Sequence, residues 1–96
     1  MSQSVSVIIP ALDDYELLAR NLKPLFAELE RRSEDDEVIV VDDTGEDQLR
    51  PKLAVDFPKV RAVAREENGG FAKALRSGFE EARHTLCFSM LSLIHI

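Results

Sequence analysis

Two short runs of β-branched residues constrain the fold of this chain more than any other feature. Val38-Ile39-Val40-Val41 and the run at residues 5–9 do not show the strict alternation of a half-exposed strand, so each predicts a strand buried on both faces. Pro10 has no N–H to donate to a central ladder, so the first strand is expected to stop there. Two further runs, at residues 60–64 and 85–90, predict a third and a fourth strand.

Helical patterns separate these strands. Apolar residues recur at spacings of +4, +3 and +4 in two segments, Leu18, Leu22, Leu25 and Leu29, and Phe71, Leu75, Gly78 and Ala82. The first helix should begin after Asp14, with a kink or a break into two shorter helices at Pro24. A short helix is expected at residues 48–55, interrupted by Pro51, and Thr44 and Asp47 before it have the spacing of a capping box. The helix that contains Leu75 should end near His84.

Alternation of strands and helices indicates an α/β fold, a Rossmann-like three-layer sandwich with a mostly parallel sheet. In open sheets of this kind, ligands bind outside the carboxyl ends of the strands. Three predicted loops leave those ends, at residues 10–14, 42–47 and 66–70. We therefore expect any functional site to be built from these loops.

Composition excludes several functional classes. The 96 residues carry 12 Lys and Arg against 18 Asp and Glu, a net charge of −6, and no basic cluster that would attract nucleic acid. No apolar run is long enough to span a membrane and no basic secretory signal is present, so the expected location is cytoplasmic. Cys87 is expected to be a buried thiol, since it has no metal-ligand spacing. A single domain of this size leaves little room for a complete active site, which indicates part of an enzyme.

An acidic pair ends the second predicted strand. Asp43 could accept the imino N–H of uracil, thymine or guanine, a proton that cytosine and adenine lack. In the alternative interpretation, Asp42 and Asp43 only cap the turn and the short helix after it. Spacing alone does not separate these two interpretations.

The sequence Asn68-Gly69-Gly70 opens the third predicted helix. Its backbone N–H groups and the positive end of the helix dipole suit a diphosphate. Lys73 and Arg76, three residues apart on that helix, could compensate phosphate charge. The alternatives are a plain strand-to-helix turn and a solvated helix face on which both cations pair with Glu80.

Three motifs in order carry a resemblance to a known family. Ser6-Val7-Ile8-Ile9-Pro10, then Val38-Ile39-Val40-Val41-Asp42-Asp43, then Asn68-x-Gly70-Phe71-Ala72-x-Ala74-x-x-x-Gly78 resemble the nucleotide-binding half of family 2 glycosyltransferases. The resemblance implies a GT-A fold that covers residues 1–90 as a partial domain. It also implies transfer of a sugar to an acceptor hydroxyl from a nucleoside-diphosphate donor of the UDP, GDP or dTDP type.

The resemblance also assigns roles to residues of the predicted loops. By this likeness Pro10 and Ala11 would line the base pocket through their backbone, and Asp43 would bind the base imino group. Asp42 would hold the loop. The donor pocket would be shaped by the start of the third helix, with Asn68, Gly70 and Lys73. The sequence departs from the family at four places: Leu12 replaces a stacking aromatic, Asp13 and Arg76 each replace an Asn, and Thr44-Gly45 inverts a Gly-Ser pair.

A larger departure follows the fourth predicted strand. There the family carries an Asp-x-Asp that binds Mg²⁺ or Mn²⁺, whereas Met90 is followed by Leu91-Ser92-Leu93-Ile94-His95-Ile96. The metal ligands and the catalytic base are thus absent from this sequence. We interpret residues 91–96 as a non-native tail, the alternative being a true apolar strand.

We therefore expect the donor-binding half of a glycosyltransferase, which binds the donor but does not catalyse transfer of the sugar. Its open sheet edge should favour self-association, and the full-length enzyme would be cytoplasmic or peripheral at the inner membrane face. Two alternatives remain at this point, a receiver-like phosphoacceptor signalling domain and a non-catalytic nucleotide-binding module. The receiver alternative uses the acids that follow Ile8, but no Lys ends a later predicted strand, as such a domain requires.

Overall fold

Strands and helices alternate along the chain, as the sequence predicts. The computed structural model describes residues 4–11, 15–32, 35–43, 45, 47, 49–65, 70–84 and 87–89, the last three and Phe71 by their backbone alone. In chain order the elements are β1 (Ser6–Ala11), α1 (Tyr15–Arg32), β2 (Glu37–Asp42), α2 (Arg50–Asp56), β3 (Arg61–Ala64), α3 (Phe71–Glu81) and β4 (Cys87–Ser89). The predictions for Leu12, Asp13, Thr44, Asn68 and residues 91–96 fall outside the described residues.

The strands form one sheet in the order β3-β2-β1-β4, and every described pair is parallel. The β1–β2 register ends at Ala11 opposite Asp42, and the β2–β3 register ends at Asp42 opposite Ala64. The carboxyl ends of β1, β2 and β3 therefore lie side by side. This arrangement confirms the predicted parallel sheet and brings the segments that follow these three strands to one edge.

Helices cover both faces of the sheet, which confirms the three-layer prediction. Successive strand residues point to opposite faces. One face packs against α1 and α2 in a core of Val5, Val7, Ile9, Ala11, Leu18, Leu22, Val38, Val40, Leu49 and Leu53. The other face packs against α3 in a core of Ile8, Ile39, Val41 and Ala74. Because both faces are covered, the middle residues of β1 and β2 are apolar on both sides, which explains why these strands lack alternation.

The prediction that β1 stops at Pro10 is wrong. Pro10 lies within the strand, opposite Val41, and Ala11 continues it. The Glu37 N–H donates to the Val5 carbonyl and the Asp43 N–H to the Ala11 carbonyl, so the odd-numbered residues of β1 bond to β2. The Pro10 nitrogen therefore faces the β4 side. Among the described residues, the β1–β4 pairs end at Ile8, two positions before Pro10. A proline is tolerated at this position because no bond of the β1–β2 ladder is lost.

Neither of the two prolines breaks its helix, and the kink that is the other expectation at Pro24 stays a prediction. Pro24 lies within α1, which continues as one helix rather than two. Pro51 lies in the first turn of α2 and starts this helix instead of interrupting it. First-turn N–H groups have no intrahelical acceptor, so a proline there costs no hydrogen bond.

The ends of the helices also correct the sequence analysis. The N-cap of α2 is Leu49, so the Thr44 and Asp47 spacing does not mark the start of this helix. Helix α3 ends at Glu81, before His84. None of the described helices is long and apolar enough to cross a membrane.

Candidate functional site

Asp43 lies at the carboxyl edge of the sheet, immediately after β2. Its backbone N–H donates to the Ala11 carbonyl at 2.9 Å, which extends the β1–β2 ladder by one bond. The residue is 3% exposed. Its Oδ2 accepts a hydrogen bond from the Gly70 N–H at 2.9 Å, and its Oδ1 lies 2.9 Å from Arg65 Nε. The carboxylate thus contacts both ends of the segment that joins β3 to α3.

Asp42 connects the end of β2 to the start of α2. It is 1% exposed, and its Oδ2 accepts a hydrogen bond from the Leu49 N–H at 2.8 Å. Leu49 is the N-cap of α2 and offers no capping side chain of its own. Asp42 therefore supplies the negative group that the start of a helix favours. The two adjacent acids face different segments, Asp42 the start of α2 and Asp43 the start of α3.

Gly70 is the N-cap of α3 and has a backbone conformation that other residues rarely adopt. Its φ is +86° and its ψ is 176°, a region essentially restricted to glycine. This conformation turns the Gly70 N–H toward Asp43, while the Gly70 carbonyl accepts the first helical bond, from Ala74 at 3.0 Å. The backbone N–H groups of the first turn of α3 have no acceptor within the helix and start beside the Asp43 carboxylate.

The remaining predicted residues lie around this point or outside the described parts of the chain. Pro10 and Ala11 are buried at the end of β1. Lys73 is exposed in the first turn of α3. The structure therefore brings together, at one sheet edge, Ala11, Asp42, Asp43 and Gly70. Leu12, Asp13 and Asn68 are not among the described residues.

Arg65 is a residue of this edge that the sequence analysis missed. It follows β3 directly, and its backbone N–H donates to the Asp42 carbonyl at 2.9 Å. Its Nη1 donates to the Lys73 carbonyl at 3.1 Å and to Ser77 Oγ at 2.5 Å. The available signal was the position of a basic residue after the third strand, level with the acids after the second.

A second polar cluster lies at the opposite, amino edge of the sheet. Glu37 Oε2 accepts hydrogen bonds from Ser6 Oγ and from the Arg83 N–H, both at 2.6 Å. Burial alone would raise the pKa of Glu37, but these hydrogen bonds and the charge of Arg83 hold the pKa below its usual range. This cluster fastens the segment after α3 to the first two strands and is separate from the candidate site.

A cavity of 380 Å³ lies between α1 and the segment from Asp56 to Lys59. Its walls include Phe26 and Phe57, whose rings stack with centroids 6.2 Å apart. These parts of α1 and of the α2–β3 connection lie toward the amino edge of the sheet, and none of the predicted site residues lines the cavity. We place the candidate site at the carboxyl edge, where ligands of parallel open sheets bind.

The resemblance to family 2 implies a divalent metal ion, and the described residues do not supply a site for one. No three His, Cys, Asp or Glu side chains converge within the described ranges. The carboxylates of Asp42 and Asp43 are directed to different backbone N–H groups.

A parallel α/β sheet with helices on both faces, and with a buried acid and a glycine-capped helix at its carboxyl edge, defines the class of this protein as a Rossmann-like domain. The family model described as glycosyl transferase family 2 matches residues 6–90. The chain belongs to this family, which confirms the resemblance of its three motifs and gives it a role in glycosyl transfer. No curated protein matched the chain.

Proposed function

We propose that the chain binds a nucleoside-diphosphate sugar at the carboxyl edge of its sheet, with Asp43 as the residue that recognises the base. The observation that carries the proposal is the contact between the Asp43 carboxylate and the Gly70 N–H. This contact joins a hydrogen-bond acceptor for a base to the N-terminus of a helix that suits a diphosphate. Membership of a glycosyl transferase family supports the same class of donor.

Base recognition would use the acceptor capacity of the ionised Asp43 side chain. A carboxylate has about four acceptor positions on its two oxygens. It can therefore accept an imino N–H in addition to the bond from Gly70. UDP, GDP and dTDP carry an imino proton, whereas CDP and ADP do not. The proposal thus includes a preference for the first group of nucleotides.

The diphosphate would lie against the first turn of α3. The N–H groups of this turn and the positive end of the helix dipole favour an anion. Lys73 is exposed in this turn and is proposed to supply a compensating positive charge. Pro10 and Ala11, at the end of β1, are proposed to form the wall of the base pocket through their backbone.

The complete reaction would be attack by an acceptor hydroxyl on the anomeric carbon of the sugar, with departure of the nucleoside diphosphate. The hydroxyl proton must pass to a base. The 96 residues contain no Asp-x-Asp motif, and the two described acids of the candidate site, Asp42 and Asp43, are each bonded to a backbone N–H group. We therefore propose that these 96 residues bind the donor and do not catalyse its transfer.

Calorimetric titration of the chain with UDP, GDP, dTDP, CDP and ADP tests the proposal, after circular dichroism has shown that the protein is folded. At least one of the three imino-bearing nucleotides should bind more tightly than CDP and ADP. Asp43→Asn should weaken that binding by about tenfold or more, since a charged hydrogen-bond acceptor is lost.

Asp35→Asn is the matched control, because the Asp35 side chain is 76% exposed and pairs with Arg83 at the amino edge. This variant should bind nucleotides as the unmodified chain does. Folded protein that releases no heat with any of the five nucleotides would refute donor binding.

A further inference from the structure

Arg65 is tied to Asp43 and to α3 by separate parts of its guanidinium group. Nε lies 2.9 Å from Asp43 Oδ1, close enough for an ion pair although its N–H does not point along a hydrogen bond. Nη1 donates to the Lys73 carbonyl and to Ser77 Oγ, one turn apart on α3. The Arg65 side chain is 20% exposed and that of Asp43 is 5% exposed. The pair is thus largely withdrawn from water.

The backbone alone places Asp43 and Arg65 next to each other. The β2–β3 register ends with Asp42 opposite Ala64, and Asp43 follows β2 as Arg65 follows β3. The Arg65 N–H donates to the Asp42 carbonyl at 2.9 Å, so the strands still lie together at this point. The proximity of the two side chains therefore follows from the sheet register.

The Asp43 carboxylate is fixed from two directions. Arg65 lies at Oδ1, and the Gly70 N–H is bonded to Oδ2. A buried carboxylate without a cation nearby carries a large desolvation cost, which Arg65 offsets. Two partners on different oxygens also fix the rotation of the carboxylate plane, and hence the direction in which its other acceptor positions point.

We propose that Arg65 is the positioning residue of the base site: it orients and neutralises the Asp43 carboxylate that accepts the imino proton, without touching the donor itself. This inference rests on the function proposed above. Arginine suits this role because its planar fork reaches Asp43 and α3 at the same time, whereas an ammonium group makes only a point contact.

A positioning role has a consequence that a purely structural role lacks. Only nucleotides with an imino proton use Asp43, so loss of Arg65 should weaken UDP, GDP or dTDP more than CDP or ADP. A residue that merely stabilises the fold would affect both groups alike. The two roles can therefore be separated by a ratio of affinities. This ratio compares a nucleotide that has the imino proton with one that lacks it, UDP with CDP or GDP with ADP.

The experiment measures this ratio by calorimetry for the 96-residue chain and for Arg65→Ala, Arg65→Lys and Arg31→Ala. Arg65→Ala should lower the ratio by about tenfold, the usual effect of a lost interaction with a charged hydrogen-bond partner. Arg65→Lys should restore part of the ratio, because it returns the charge and not the fork. Arg31→Ala should leave the ratio unchanged, since Arg31 is exposed on α1 and pairs only with the exposed Glu28 among the described contacts.

Amide hydrogen exchange of Gly70 provides a readout that needs no nucleotide. If Arg65 orients Asp43, Arg65→Ala should speed exchange at Gly70 more than at Ala74, which is bonded within α3. Unchanged Gly70 exchange and an unchanged affinity ratio in Arg65→Ala would overturn the inference. Absence of nucleotide binding by the unmodified chain, together with faster Gly70 exchange in the variant, would refute the proposed function and retain the orienting role of Arg65.

Discussion

The Asp43 carboxylate and the Gly70 N–H are joined by a 2.9 Å hydrogen bond across 27 positions of sequence. Asp43 directly follows the buried strand β2, and Gly70 is the N-cap of α3, which packs on one face of the sheet. The bond therefore connects the end of β2 to the start of α3, directly across the carboxyl edge. On this bond rests the proposal that base recognition and diphosphate binding share one site.

Substitution of Gly70 should reveal the cost of this geometry. Gly70→Ala places a side chain on a residue with a φ of +86°, although a Cβ there would meet no atom within 4 Å. The cost is thus backbone strain rather than a clash, and it should lower the free energy of unfolding by about 1–3 kcal/mol. Urea denaturation followed by circular dichroism measures it. Ala72→Ser, an exposed change in the same turn, is the control, and equal stability of Gly70→Ala and the unmodified chain would contradict the assignment.

Gly78 should be sensitive for the opposite reason. A Cβ at Gly78 would lie 2.3 Å from Ile8 Cγ2 and 3.2 Å from Val41 Cγ2, so α3 approaches the sheet closely here. Gly78→Ala should destabilise the chain by about 1–3 kcal/mol through overpacking, despite the better helix propensity of alanine.

Ile8→Ala removes the methyl group that the new Cβ would meet. In the double variant, the cost of Gly78→Ala should therefore be smaller than in the unmodified background. Simple additivity of the two changes would show that the contact is not the cause.

The stability of the chain should fall at acid pH because of Glu37. The pKa of Glu37 in the folded protein lies below its usual value, so its stabilising contribution is complete above about pH 4.5 and is lost as the pH falls through the folded pKa. Glu37→Gln should reduce stability at pH 7 by about 3 kcal/mol and flatten the acid dependence. Urea midpoints measured from acid to neutral pH test this.

Asp36 also contributes to the acid dependence. Burial raises its pKa, but hydrogen bonds from Arg32 and from the Val5 N–H hold the pKa below the usual range. In Glu37→Gln, the free energy of unfolding should therefore still fall at acid pH, although less steeply than in the unmodified chain. Glu28→Gln is the control, because Glu28 is 72% exposed and should not change the profile. A Glu37→Gln profile that runs parallel to that of the unmodified chain would exclude Glu37 as the source.

Tyr15 provides a spectroscopic test of the contact between α1 and α2. Burial, and then the hydrogen bond from its hydroxyl to Asp56 Oδ2 at 2.6 Å, raise the pKa of Tyr15 to about 12. The raised pKa favours the neutral phenol in the folded state, so this contribution to stability is present below about pH 10 and is lost as the pH rises through about 12.

Tyr15 is the only tyrosine of the chain, so tyrosinate absorbance reports it directly. The midpoint should be near 12 in the folded protein and lower in Asp56→Asn. Urea-unfolded protein supplies the unperturbed reference. A folded midpoint equal to that reference would contradict the burial and the hydrogen bond.

The sheet could be predicted because its two central strands, β1 and β2, are buried on both faces. In β1 and β2 every position faces either the α1 and α2 layer or α3, so the apolar runs mark the strands without any tertiary information. The prolines were harder to interpret. The effect of Pro10 depends on which neighbour its nitrogen faces, and that of Pro51 on where the helix starts, so neither follows from local sequence.

The candidate site was predictable only in part, for the same physical reason. Asp43 and Gly70 each carry a local signal, an acid after a strand and a glycine before a helix. Arg65 carries a weaker signal, a basic residue after the third strand, because its importance depends on the β2–β3 register that places it beside Asp43. Glu37 likewise looks like an ordinary charged loop residue until Ser6 and Arg83 are placed around it.

Nuclear magnetic resonance titration would show directly where a nucleoside diphosphate binds. The backbone amides of the folded chain are followed as the tightest-binding of UDP, GDP and dTDP is added. If the donor binds at the carboxyl edge, the largest shifts should occur at Asp43, Gly70 and the first turn of α3, with little change around Phe26 and Phe57. Shifts confined to the Phe26 and Phe57 cavity, or no shifts at all, would contradict binding at that edge.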